Sequence, residues 1–120
     1  MTLHLYIAGP YTTPDPIVNT HAAIRVATAL YETGLYVPHV PHLTLMWHMV
    51  TPRPIEFWYD LDEHHLSRCD AITRLPGAST GADREVLAGE QLGLAYLHFE
   101  AFPKDIQSIW LDRFVRKEFK

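Results

Sequence analysis

A single cysteine, Cys69, stands in 120 residues, so no internal disulfide can form and no cysteine cluster can hold a metal. A lone thiol fits a reducing interior, and the expected location is cytoplasmic. No apolar run reaches the roughly 18 residues that a membrane helix needs, and no secretory signal pattern precedes the first apolar run. Positive charge is also in short supply: ten Lys and Arg stand against fourteen Asp and Glu, a formal net charge of -4. Apart from the short RFVRKEFK near the C-terminus these cations are scattered, so nucleic acid is not an expected partner. GxGxxG, Walker, GxSxG and HExxH patterns are missing. There is no internal repeat, low-complexity tract or break in composition, and the length suits one domain over residues 1–120.

What is present is an apolar half, 48% of the residues, arranged in alternating strand-like and helix-like segments. LHLYIAGP reads as a buried strand over Leu3 to Ala8, stopped by Gly9 and Pro10. Asp15 and Pro16 look like an N-cap followed by a first-turn proline, and Gly34 is placed to close that helix. Ala23, Ala27, Leu30 and Tyr31 recur along it at helical spacing. LYVPHVPH is a second strand, expected to end near Val37 because prolines follow. LTLMWHMVTPRP reads as a short helix closed by Pro52 and Pro54, and IEFWYDLDEHHLSRC as a longer one. DAITRLP is a third strand and STGADREVLAGEQLG a helix, whose Ala82, Val86, Gly89 and Gly93 are spaced to lie close on a sheet. LAYLHFE is a fourth strand, and PKDIQSIWLDRFVRKEF is predicted to be a last amphipathic helix. This alternation predicts an α/β fold, a flavodoxin-like (Rossmann-like) parallel sheet of four to five strands with helices on both faces.

Parallel sheets of this kind bind ligands outside the carboxyl ends of their strands. That rule gathers Gly9 to Tyr11, the VPHVPH loop and the Pro76 to Glu85 turn. In STGADRE a helix begins just after a strand, so free N–H groups and the positive end of the helix dipole face the crevice. Ser79 is the expected N-cap, Gly81 removes a side chain where a ligand approaches, and Glu85 leans back towards them from one turn further in. The bland reading of Glu85 is that it only complements the dipole. A second carboxylate nearby turns the balance, because glycosidic substitution uses one carboxylate to attack the anomeric carbon and another group to protonate the leaving group. Asp62, eight residues before Asp70, is the candidate.

Tyr6 on the first strand and Tyr11 just after it are the phenols best placed to enter the crevice, although Tyr6 reads equally as a core aromatic. His39 and His42 are expected to line the pocket or anchor the loop. Eight histidines invite a metal reading, but adjacent His64 and His65 point to different sides of a helix, and no metal or other cofactor is expected. Trp47, Phe57 and Trp58 could stack on a flat ligand or simply pack, and Cys69 reads as an inert buried thiol.

YIAGP, DLDEHHLSRCDAI and STGADRE, in that order over roughly residues 3–98, resemble the nucleoside 2-deoxyribosyltransferase family and its deoxynucleoside 5′-monophosphate N-glycosidase relatives. The resemblance implies that Glu85 is a nucleophile at the sugar C1′, forming a covalent glycosyl intermediate resolved by water or a second base. It implies further that Asp62 contacts substrate and supplies the leaving-group proton, that Tyr6 orients the nucleophile, and that Gly9 lies under the sugar or phosphate. Ser79, where transferases carry aspartate, is closer to the nucleotide-hydrolysing relatives, in which the serine helps hold a 5′-phosphate. The implied partner is a small-molecule nucleoside or nucleotide, and the implied assembly a homodimer or larger homo-oligomer. The alternative from another class is a non-catalytic nucleotide-binding module of the same fold.

Overall fold

The computed structural model describes residues 2–99 and 114–118. The first strand, β1 (Leu3–Ala8), leads into helix α1 (Pro16–Glu32) and strand β2 (Tyr36–His39). A 3-10 turn (Pro41–Thr44) runs into α2 (Leu45–Val50), followed by α3 (Ile55–Leu66), β3 (Ala71–Arg74), α4 (Thr80–Gln91), β4 (Ala95–Phe99) and β5 (Phe114–Glu118). The strands lie in the order β2-β1-β3-β4-β5. The first four are parallel, as a chain of strand–helix crossovers requires, and β5 closes the edge antiparallel to β4.

Alternation along β1 divides the interior in two. Leu5 and Ile7 pack with Ala23, Val26, Ala27 and Leu30 of α1 on one face. Tyr6 and Ala8 pack with Leu66 at the end of α3 and Ala82 of α4 on the other, joined there by Ile72. Helices therefore cover both faces of a flavodoxin-like sheet. The close seat of α4 depends on Gly89, where an added Cβ would stand 3.2 Å from Ile72 Cγ2. Gly93, expected on the same packing face, instead lies beyond the helix end at φ 77°.

Local signals account for most boundaries. The Asp15 carboxylate accepts from the Ile17 and Val18 N–H groups at 2.7 and 3.2 Å, with Pro16 in the first turn. Two strand expectations need correction. β2 passes through Pro38 to His39, because it is an edge strand with a neighbour on one side only, where a missing N–H is tolerated. The last amphipathic helix was expected to run through Phe114 to Phe119, yet 114–118 form β5; pairing with β4 from Phe99↔Phe114 to Ala95↔Glu118 overrides the local helical pattern. The 103–113 part of that expectation lies outside the described residues.

Asp70, a polar residue at the mouth of a buried strand, joins β3 to β1. Its carboxylate accepts from the His4 N–H at 2.8 Å while its own N–H donates to the His4 carbonyl at 2.7 Å. Since β1 leads on one side to β2 and β3 takes the other, the sheet's order reverses beside β1. The carboxyl ends of β1 and β3 therefore frame the ligand crevice.

Candidate active site

Those two strand ends are locked together. An added Cβ at Gly77, whose φ is 116°, would come within 2.8 Å of Pro10 Cγ, and one at Gly9 would meet Leu75 Cβ at 3.0 Å. Gly9 is buried against Leu75, so its small size serves the packing of the β1 end on the residue after β3. At the head of α4, Ser79 is the N-cap: its hydroxyl accepts from the Ala82 N–H at 3.1 Å. Gly81 faces Tyr59, whose ring an added Cβ would touch at an ordinary 3.5 Å. The guanidinium of Arg84 lies 4.5 Å over the Tyr59 ring and pairs with Glu63 at 3.3 Å, which ties α4 to α3.

Glu85 projects from α4 to the wholly buried Tyr6, whose hydroxyl donates to Glu85 Oε2. Burial drives the Glu85 carboxyl up from 4.5 to about 8; the Tyr6 hydrogen bond opposes this, the Asp62 charge adds to it and the Arg74 charge opposes it. Burial likewise raises Asp62 on α3 from 3.8 to about 7. Its Oδ1 is enclosed with no hydrogen-bond partner among the described residues. Tyr6 is held well above its ordinary range, first by burial and then by the charges of Glu85 and Asp62, so it is a neutral donor. The sequence brings these three groups from β1, α3 and α4 to one place. Burial outweighs the favourable helix dipole at Glu85, and both carboxyls are pushed up towards neutrality.

His39, at the end of β2, tilts against the Tyr6 ring with centroids 5.4 Å apart and stacks on His65 at 4.5 Å. Burial, then the neighbouring His65, lowers its pKa to about 4, so it is a neutral ring beside the site. His42 anchors the loop: it is 2% exposed and its Nε2 donates to the Pro10 carbonyl at 2.9 Å. Tyr11 is half-buried, its ring 6.1 Å from that of His42. Asn19 holds the same loop, donating from Nδ2 to the Tyr11 and Thr13 carbonyls at 2.9 and 3.0 Å. Trp47, Phe57 and Trp58 make edge contacts with one another, and Trp58 Nε1 donates to His48 Nδ1 at 2.9 Å. Cys69 is half-buried, its thiol pushed up to about 11 by burial and by Asp70, which suits an unreactive group.

No protein-family model and no curated protein matches this chain. Among the described residues no group of three or more His, Cys, Asp or Glu could hold a metal ion, and no helix is long and apolar enough to cross a membrane. Two half-buried carboxyls pushed up towards neutrality, one hydrogen-bonded to a neutral phenol, can perform nucleophilic and acid–base chemistry without help from a cofactor. Sequence reasoning missed Arg74, Asn19 and Tyr59. For Arg74 the signal was a cation closing an otherwise uncharged strand, AITR.

Proposed function

We propose that this protein cleaves the N-glycosidic bond of a (deoxy)nucleoside or its 5′-monophosphate, a small-molecule substrate of the cytoplasm. The observation that carries the reading is the hydrogen bond from buried Tyr6 to Glu85, with Asp62 close enough for its charge to bear on both. The Glu85 carboxylate attacks C1′ as the C1′–N bond breaks and its electron pair leaves with the base nitrogen. Asp62, protonated at the start, gives its proton to the departing base. The Glu85 glycosyl ester then loses its sugar to water, whose proton Asp62 takes back, or to the nitrogen of a second base. Tyr6 donates to the Glu85 oxygen throughout, favouring the carboxylate needed for attack and restored on release.

The two carboxyls titrate as a pair, so the competent state holds one proton between them, and a base that accepts from Asp62 draws it there. Ser79 and Gly81 at the α4 N-terminus lie on the sugar or phosphate side, and the neutral His39 ring is available to hydrogen-bond the ligand.

The test incubates wild type and Glu85→Ala with a panel of nucleosides and nucleotides, with and without an acceptor base. Products are identified by mass spectrometry. Catalytic release of free base by wild type and not by Glu85→Ala supports the reading; equal release by both removes Glu85 from the mechanism. Saturable nucleotide binding without turnover would instead favour a binding module. The resemblance also implies a homo-oligomer, and the exposure of Met46, Trp47, Met49 and Val50 on α2 supports self-association. Light scattering of the purified protein reads that directly.

A further inference from the structure

Arg74 closes β3 with its side chain only 16% exposed. Its guanidinium donates from Nη1 to the Leu75 carbonyl, and from Nη2 to the carbonyls of Gly77 at 2.9 Å and Ser79 at 3.5 Å. Nη2 and Nε also reach Asp83 Oδ1, at 3.0 and 3.3 Å. One planar fork thus holds three carbonyls of the β3–α4 turn and a carboxylate on the first turn of α4. The opposite side of the turn abuts Pro10 at Gly77. The Ser79 carbonyl also accepts the Asp83 N–H at 3.1 Å, so the clamp seizes α4 at its first helical hydrogen bond, six residues before Glu85.

We propose that Arg74 is a positioning residue for Glu85: by clamping the β3–α4 turn at Leu75, Gly77, Ser79 and Asp83, it sets where the carboxylate on α4 stands relative to Tyr6 and Asp62. The inference rests on the glycosidic reading for its catalytic consequence, but the placement of Glu85 can be measured without substrate. Among the described residues the groups that bear on Glu85 are Tyr6 from β1, Asp62 from α3 and Arg74 from β3. Of these Arg74 alone is a cation. Asp83 pairs with that cation at 3.0 Å, so removing its carboxylate would leave the guanidinium charge less neutralised.

The experiment follows the Glu85 carboxyl by NMR titration of protein carrying ¹³C at glutamate Cδ, its signal assigned by its loss in Glu85→Gln. Arg74→Gln should move the Glu85 midpoint upward by a few tenths of a unit to about one unit, the low end of what a nearby opposite charge does to a carboxylate. Asp83→Asn, which leaves the guanidinium less neutralised, should move it downward. Arg74→Lys keeps a charge but not the fork, and should leave the midpoint near that of wild type while base release falls about tenfold or more through misplacement. Should Arg74→Gln not fold, Asp83→Asn carries the titration test alone. An unmoved midpoint in every folded variant, with base release by Arg74→Lys within about twofold of wild type, would overturn the proposal. Failure of wild type to release base from any substrate would remove the glycosidic reading; a crystal structure of Arg74→Lys would then decide the clamp, since an unmoved β3–α4 turn with Glu85 still hydrogen-bonded to Tyr6 would overturn it.

Discussion

Replacing Glu85 by glutamine should stabilise the protein, and by an amount that grows with pH. Glutamine keeps the shape of the side chain and an oxygen to accept from Tyr6, but it cannot ionise. In the native protein burial lifts the Glu85 carboxyl from 4.5 to about 8, so the folded chain holds a proton that the unfolded chain has already released. Stability from this source is fully present below about pH 4.5 and is lost as pH rises through about 8. At about 1.4 kcal/mol per unit, a rise from 4.5 to about 8 is worth about 5 kcal/mol if Glu85 titrated alone. Partial contact with solvent and the repulsion shared with Asp62 reduce this to about 2–4 kcal/mol. Urea unfolding of wild type and Glu85→Gln at pH 4.5, 6, 7.5 and 9 should give a difference near zero at the lowest pH, widening to about 2–4 kcal/mol at the highest. A difference that stays constant across this range would refute the reasoning, since it would mean that Glu85 titrates alike folded and unfolded.

The same pair of acids should govern the rate. Base release is expected to follow a narrow bell with its maximum between about pH 7 and 8, rising as one proton leaves the pair and falling as the second does; kcat/KM measured across pH 5–10 checks it. Tyr6→Phe removes the donor that favours the carboxylate, so the acid limb should shift to higher pH and the rate fall about tenfold to a hundredfold, with the fold intact by circular dichroism. Gly77→Ala should cost about 2 kcal/mol or more in urea unfolding, because φ is 116° and Pro10 blocks the methyl. Gly34→Ala, at φ 76° with no atom within 4 Å, should cost only about 1 kcal/mol. Asp15→Ala leaves two N–H groups of α1 uncapped and should cost about 1 kcal/mol.

Much of the fold could be read from local chemistry. Gly9 and Pro10 end β1 where expected, and Asp15 with Pro16 starts α1, because those residues act on their own backbone. The misreadings share a cause in tertiary context. Pro38 looks like a strand breaker until β2 is known to lie at the sheet edge, and RFVRKEF looks helical until β4 is known to offer it a partner. The site divides in the same way. Tyr6, Asp62 and Glu85 carry recognisable chemistry at recognisable spacing. The upward shift of both acids does not show in the sequence, because it depends on how deeply each is enclosed. For His42 the sequence left two readings open, pocket lining or loop anchor, because only the fold shows that the Pro10 carbonyl takes its Nε2. Arg74 went unnoticed because a cation at a strand end is a weak signal by itself and most of its partners are main-chain carbonyls, whose positions only the fold reveals.

The contact between Gly77 and Pro10 reaches beyond stability. It couples the segment leading to Tyr11 with the turn leading to Glu85, so two stretches nearly seventy positions apart in the chain behave as one rigid jaw. Drift in either stretch is then answerable to the other: a longer or bulkier first loop would displace the turn that carries Glu85. Efforts to alter substrate preference by randomising residues 10–14 alone should mostly yield inactive proteins. Libraries that vary 10–14 and 76–80 together would search for matched pairs of loops.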